Sequence, residues 1–146
     1  MIANLYKHNL LNFPYVNADI FEKQYFSNIT NDVERSQKAM FFTTKLVNEL
    51  LQNGKSFCYE SVFSHPSKVD LVKTAIESGY KIKVIYMYTE NYFINISRVQ
   101  KRISEGGHFV PEEKIINRFT NSAIQIEKLK TLCNDFEIFN NSQNRQ

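Results

Sequence analysis

Glycine is scarce in this chain of 146 residues, which has only four, and they fall at three places. Each place, Gly54, Gly79 and the pair Gly106-Gly107, follows a stretch with helical periodicity, so each is predicted to end a helix. The phosphate-loop pattern G-x-x-x-x-G-K-[ST] is absent from the sequence. The triplet Gly54-Lys55-Ser56 does not supply it, because it closes a predicted helix where a phosphate loop opens one.

Cysteine, net charge and long apolar runs are also limited. The two cysteines, Cys58 and Cys133, lack the neighbour spacing of a metal site, so we expect no zinc site and two reduced thiols in a cytoplasmic protein. The net charge of +3 is too mild for a nucleic-acid surface, although it permits an anionic ligand. The longest apolar run, residues 84–88, is far too short to span a membrane.

Strand-like and helix-like stretches alternate along the sequence. We predict strands at 14–17, 56–60, 81–88 and 135–139, and helices at 2–10, 19–26, 32–52, 66–77, 91–105 and 111–131. Asn17 or Asp19 can cap the second helix, and Ser67-x-x-Asp70 fits a capping box for the fourth. The alternation predicts an α/β fold with a mainly parallel sheet.

The stretch from Arg98 to Phe119 reads R-V-Q-K-R-I-S-E-G-G-H-F-V-P-E-E-K-I-I-N-R-F. Arg98 and Arg102 are four residues apart and share one helical face, and Arg118 lies on the helix that begins near Pro111. Because arginine forks match phosphate oxygens, this pattern indicates a hinged helical lid for phosphoryl transfer. The alternative is a solvated helical hairpin with surface arginines.

Six segments, in this order, resemble the zeta-toxin family of P-loop kinases, in particular its chromosomal branch with the G-G-H-x-V-P lid. They are N-A-D at 17–19, G-K-S-F-C-Y-E-S-V-F-S at 54–64, S-G-Y-K-I-K-V-I-Y at 78–86, R-V-Q-K-R-I-S-E-G-G-H-F-V-P at 98–111, I-I-N-R-F at 115–119 and F-N-N-S at 139–142. The resemblance implies a three-layer P-loop-kinase-like sandwich that is incomplete at its N-terminus, since the family's first strand and phosphate loop are missing. It also implies a single domain over 1–142, a helical lid at about 91–131 and a disordered tail at 143–146.

The function that this resemblance implies is a small-molecule kinase that uses ATP or GTP with Mg²⁺, with a nucleotide-sugar hydroxyl as one candidate acceptor. An antitoxin protein is a possible partner, and neither nucleic acid nor membrane is expected as one. Because the phosphate loop is absent, we expect the 146-residue chain alone to be inactive.

The resemblance assigns acceptor-side roles to four residues. Asp19 is the base that takes the proton from the substrate hydroxyl. Glu60 and Ser61 match the family's Glu-Thr or Glu-Ser pair and bind substrate or orient metal-bound water, and Ser64 adds a hydroxyl contact. The alternatives are a helix cap for Asp19 and a solvent-facing strand-end carboxylate for Glu60.

The lid residues come from the same resemblance. Arg98 and Arg118 are the catalytic cations on the transferring phosphate, and Arg102 and His108 assist them around the hinge Gly106-Gly107. Arg102 can instead pair with a surface acid, and His108 can simply hold the turn. Asn140 departs from the family, which more often has aspartate there, and this puts a nucleotide-base contact by the 139–142 segment in doubt.

The sequence is also compatible with two other functions. The chain can be a non-catalytic remnant that binds a partner or an anion through its basic lid. In that case Asp19→Asn has no effect on the function of the protein, which is binding. Binding of single-stranded RNA through basic and tyrosine side chains is a weaker alternative, because the charge of +3 speaks against it.

Overall fold

Strands and helices alternate along residues 12–143, the part of the chain that is described by the structure, a computed structural model. These residues form two compact units, and the division falls between Ser61 and Val62. The helix predicted at 2–10 lies outside the described residues. The short parallel strands and the helices that separate them confirm the α/β class and agree with a P-loop-kinase-like fold.

The first unit holds two strands and two helices. In chain order they are β1 (Tyr15–Asn17), α1 (Ala18–Tyr25), α2 (Asp32–Gln52) and β2 (Cys58–Glu60). The strands are parallel, with Val16 opposite Tyr59 and Asn17 opposite Glu60. Because both strands run the same way, their carboxyl ends share one edge of the sheet, which is where open α/β sheets bind ligands.

A buried carboxylate joins the two helices of the first unit. Glu22 on α1 is only 8% exposed, and its Oε1 lies 2.9 Å from Nε of Arg35 on α2. Its second oxygen accepts a hydrogen bond from the hydroxyl of Ser36 at 3.0 Å. A buried charge needs such partners, because the loss of water around it is costly.

The buried face of α2 is narrower than its apolar pattern predicts. Ala39, Thr43 and Val47 are buried, as expected from their spacing. The apolar sequence of this helix also predicts a buried Met40, but this is wrong, because the Met40 side chain is 60% exposed. The spacing from Ala39 to Thr43 and Val47 follows one helical face, and a residue directly after Ala39 is rotated by about 100° away from that face.

The second unit holds three helices and two strands. They are α3 (Pro66–Glu77), β3 (Lys83–Tyr88), α4 (Tyr92–Ser104), α5 (Glu112–Leu132) and β4 (Asp135–Asn140). β3 and β4 are parallel along six residues, from Lys83 opposite Asp135 to Tyr88 opposite Asn140. The helix α5 contributes to two cores, one with α3 around Leu129 and one with α4 around Ile115.

β3 is less buried than its apolar sequence predicts. The run K-V-I-Y-M-Y has one exposed residue followed by five half-buried ones. Within the described residues β3 pairs with β4 alone, so its second edge has no ladder partner there. A strand that is apolar on both faces is typical of the interior of a parallel sheet, and β3 therefore leaves apolar surface incompletely covered.

The start of α3 differs from the prediction. The N-cap is His65, whose Nδ1 accepts the backbone N–H of Ser67 at 3.2 Å, and Pro66 occupies the first helical turn. The predicted capping box at Ser67 and Asp70 was therefore wrong. Pro66 explains the shift, because a proline at the first helical position fixes the helix start one residue later than His65.

Candidate functional site

Asp19 stands free at the start of α1. Asn17 is the N-cap of this helix, since its Oδ1 accepts the backbone N–H groups of Asp19 at 2.8 Å and Ile20 at 3.4 Å. Asn17, and not Asp19, is therefore the residue whose side chain caps this helix. The Asp19 carboxylate is exposed and has no hydrogen bond or ion pair with any described residue. It is therefore available to accept a proton from a ligand.

Glu60 ends β2 at the same sheet edge. It lies opposite Asn17 in the ladder, so the strand end that leads into Asp19 and the strand end that carries Glu60 are neighbours. Burial raises the pKa of the Glu60 carboxyl above its ordinary value, because a charged group loses hydration there. Ser61 follows directly and is half-buried. The first unit thus has two carboxylates near one sheet edge, the exposed one of Asp19 and the half-buried one of Glu60.

Arg98 is engaged by the protein backbone. Its Nη2 donates to the carbonyl oxygen of Asn141 at 2.7 Å and to that of Gln143 at 3.3 Å. The side chain is half-buried on α4. In this state the guanidinium ties the chain after β4 to α4, a role that the sequence did not suggest.

The segment after β4 is also held by side chains. Asn140 Nδ2 donates to Glu90 Oε1 at 2.9 Å, and the Glu90 backbone N–H donates to the Ser142 hydroxyl at 2.8 Å. The Ser142 backbone N–H in turn donates to Asn140 Oδ1 at 2.9 Å. Asn140 is therefore a hydrogen-bonded part of the C-terminal segment.

The glycine pair forms the turn between α4 and α5. Gly106 has φ of +86°, and its N–H bonds to the carbonyl of Ile103, while the Gly107 N–H bonds to that of Arg102. These two bonds are those of a Schellman motif, in which glycine tolerates the left-handed angle. A Cβ on Gly107 would lie 2.8 Å from the Arg102 carbonyl oxygen, so both positions need glycine. The side chains of Arg102 and His108 are exposed beside this turn.

An open groove of about 510 Å³ lies between the start of α3 and the first half of α5. We call it the α3–α5 groove. Its lining consists of Ser64, His65, Pro111, Glu113, Lys114, Asn117, Arg118 and Asn121. Two residues predicted for the site, Ser64 and Arg118, thus meet in one groove, and Arg98 is not among the lining residues.

Lys114 and His65 belong to this groove and were missed in the sequence. Lys114 precedes Arg118 by four residues, a spacing that places two cations on one helical face and could have signalled the pair. In the sequence His65 has no partner at metal-ligand spacing, and this pattern alone predicts an ordinary surface residue. Its contribution depends on the packing of α3 beside α5, which no local pattern shows.

Comparison with known proteins identifies the family of this chain. A model of the zeta toxin family matches residues 22–146. The chain therefore belongs to the zeta toxin family, a family of kinase-like phosphotransferases. The matched range includes Glu60, Arg98 and Arg118, and it begins after Asp19.

One relative is an uncharacterized protein of Haemophilus influenzae (strain ATCC 51907 / DSM 11121 / KW20 / Rd). It is 28% identical over 88 residues, which cover 60% of this chain and 60% of that protein. The match thus spans less than two thirds of the relative's own length. No solved structure matches the chain.

Within residues 12–143, no helix has the length and apolar character that crossing a membrane requires. The same residues contain no group of three His, Cys, Asp or Glu side chains placed to hold a metal ion.

Proposed function

We propose that this chain carries the acceptor side and the lid of a nucleotide-dependent small-molecule kinase. Membership of the zeta toxin family supports this interpretation. The observation that carries it is the free carboxylate of Asp19 at the carboxyl end of β1, next to the strand end of Glu60. A kinase needs one carboxylate near the acceptor hydroxyl, and Asn17 has taken the capping role that would otherwise occupy Asp19.

In this proposal Asp19 accepts the proton of the acceptor hydroxyl, and Glu60 with Ser61 positions the acceptor. The Glu60 side chain is half-buried at this strand end, and burial raises the pKa of its carboxyl above the ordinary value. Ser64 and Arg118 line one groove of the second unit, and in this proposal they contact a phosphate group there. The acceptor is a small molecule, with a nucleotide-sugar hydroxyl as the first candidate to assay.

ATP or GTP with Mg²⁺ supplies the phosphoryl group in this proposal. Magnesium is usually held by one or two carboxylates together with substrate phosphates and water, and the described residues offer no three-ligand protein cage. Glu60 is the carboxylate that fits such a shared site best, because it ends a strand at the ligand-binding edge. The binding of an antitoxin protein and a cytoplasmic location are part of the same proposal.

The phosphate-loop pattern is absent from the 146 residues, so we expect this chain alone to transfer little or no phosphate. The test is transfer of labelled γ-phosphate from ATP and GTP, with Mg²⁺, to a panel of nucleotide sugars. Transfer by the purified chain that depends on Mg²⁺ would contradict the expectation.

Asp19→Asn tests the role of the base in whichever form of the native protein is active. We expect turnover to fall by at least about a hundredfold with little change in ligand binding, because general-base catalysis contributes about 10² to 10⁴. Asp32→Asn is the control, since this carboxylate pairs with Arg35 at the start of α2. Equal turnover in Asp19→Asn and the parent protein would exclude Asp19 as the base.

A non-catalytic anion-binding protein is the second candidate, and the α3–α5 groove favours it. Such a protein would bind its ligand equally well with and without the Asp19→Asn substitution, and no form of it would transfer phosphate. The comparison of this variant with the parent protein therefore separates the two functions.

A further inference from the structure

The α3–α5 groove is lined mainly by groups that donate hydrogen bonds or carry positive charge. Lys114 and Arg118 are cations, the Ser64 hydroxyl and the amides of Asn117 and Asn121 can donate, and Glu113 is the single carboxylate among the lining residues. The formal charge of the lining is therefore positive with neutral histidine. A lining of this composition favours an anion with several acceptor oxygens.

The two cations of the groove have no partner among the described residues. Some basic residues of the second unit pair with carboxylates, such as Lys83 with Glu137 at 2.6 Å and Lys73 with Asp70 at 3.7 Å. The side chains of Lys114 and Arg118 form no hydrogen bond or ion pair within residues 12–143. Both are exposed, and they are one helical turn apart on α5, so a single anion can reach both.

The cap of α3 fixes the proton of His65. Nδ1 accepts the backbone N–H of Ser67 and lies 2.9 Å from the Ser67 hydroxyl. The neutral ring therefore carries its hydrogen on Nε2, because one ring nitrogen donates when the other accepts. His65 therefore adds one hydrogen-bond donor, Nε2–H, to the lining of the groove.

We propose that the α3–α5 groove is a binding site for the phosphate group of a phosphorylated small molecule. Lys114 and Arg118 contact the phosphate oxygens, and His65 Nε2–H donates to the same group from the opposite wall. The volume of the groove, about 510 Å³, exceeds the volume of a bare ion and lies within the range of small-molecule sites. The site extends the proposed function by two residues, Lys114 and His65, and binding at this groove does not require phosphoryl transfer.

Inorganic pyrophosphate is the first probe, with binding to the full chain measured by isothermal titration calorimetry at low salt. We expect Lys114→Gln and Arg118→Gln each to weaken binding by about tenfold, the effect of one lost charge-assisted hydrogen bond. Lys128→Gln is the matched control on the same helix, about 15 Å beyond Arg118. Its ammonium lies 3.3 Å from the Gln125 side chain, and the groove lining does not include it.

His65→Asn tests the histidine without removing the helix cap. Asparagine is a favourable N-cap, so α3 keeps its start while the imidazole donor is lost. We expect weaker pyrophosphate binding with an unchanged melting temperature. Unchanged affinity in this variant would remove His65 from the site.

Three results of the direct titrations would overturn the proposal. They are absence of pyrophosphate binding by the folded chain, an equal loss in Lys128→Gln, and malonate binding as tight as pyrophosphate. An equal loss in the control would indicate diffuse attraction by net charge, and tight malonate binding would indicate a general anion site. Screening by salt should weaken binding in the parent chain more than in Lys114→Gln.

Competition against pyrophosphate identifies the source of the phosphate. Displacement by ATP assigns the groove to the nucleotide, and displacement by a sugar 1-phosphate assigns it to the acceptor; displacement by neither would overturn a metabolite site. Because these titrations need no catalysis, they can succeed where kinase assays fail, and the two proposals are tested separately.

Discussion

The guanidinium of Arg98 donates a hydrogen bond to the backbone carbonyl oxygen of Asn141, with 2.7 Å between Nη2 and the oxygen. The two residues are 43 positions apart, and the bond attaches the segment after β4 to α4. A cation that was predicted to meet a phosphate is thus also a structural tie in this unit. Its replacement should affect the order of the C-terminal segment.

Arg98→Gln should loosen residues 140–143. Removal of a charge-assisted hydrogen bond costs about 1–3 kcal/mol, so we expect faster hydrogen–deuterium exchange of the Asn141 amide, which bonds to the Tyr88 carbonyl. Arg102→Gln is the control, because this arginine is exposed on the same helix and its side chain has no partner among the described residues. Identical exchange in both variants would show that the Arg98 bonds do not order the segment.

The turn between α4 and α5 should be sensitive to both of its glycines. Gly106→Ala forces a Cβ into the left-handed region and should lower the free energy of unfolding by about 1 kcal/mol. Gly106→Asn should cost less, since asparagine tolerates this region. Urea denaturation measures both, and an alanine variant as stable as the parent chain would contradict the strained turn.

Gly107→Ala acts through space and not through backbone angles. Its Cβ would lie 2.8 Å from the Arg102 carbonyl oxygen, so we expect the Gly107 N–H bond to that oxygen to lengthen and the helix end to fray. Amide exchange at residues 105–108 should rise more in this variant than in Gly54→Ala, where no atom lies within 4 Å of the added carbon.

Glu60 should make stability depend on pH in the direction opposite to most carboxylates. Its folded pKa is raised by burial, so the stabilising, protonated form is present below the unfolded pKa and is lost as pH rises through the folded pKa. Glu60→Gln should therefore raise the urea midpoint at pH 7 and lose this advantage below about pH 4, near the ordinary glutamate value. A lower midpoint for Glu60→Gln at pH 7 would mean that the charged carboxylate is stabilised.

The two thiols should react slowly with iodoacetamide at pH 8. Burial raises the pKa of Cys58 and of Cys133, which reduces the reactive thiolate in both. Cys133 is 6% exposed and Cys58 is half-buried, so we expect Cys133 to be alkylated last. Mass spectrometry of timed samples gives the order, and equal rates in 6 M guanidinium chloride, about the strength that unfolds most domains, are the control.

Local patterns predicted the elements well and the contacts poorly. The helix bounds of α2 and α5 and the positive φ of Gly106 follow from periodicity, caps and glycine, which act over one or two turns. The cap at His65 was missed because histidine is a rare N-cap, and the half-exposure of β3 depends on the number of its neighbours. These features are set by chain segments far apart in sequence.

The candidate site was also predicted only in part from the sequence. The resemblance to the family named Ser64 and Arg118, and the structure brings them into one groove. Lys114 was missed, although its spacing from Arg118 was visible, because a lysine on a surface helix is usually solvated. The bonds of Arg98 were not predictable, because their acceptors are backbone carbonyls, which have no sequence signature.

The hydrogen bond from Asn140 to Glu90 also limits which side chains the two positions can carry together. An aspartate in place of Asn140 would set two carboxylates about 3 Å apart, where like charges repel. Asn140→Asp alone should therefore weaken the segment after β4. The double variant Asn140→Asp with Glu90→Gln should restore the bond, because the glutamine amide can donate to the new carboxylate.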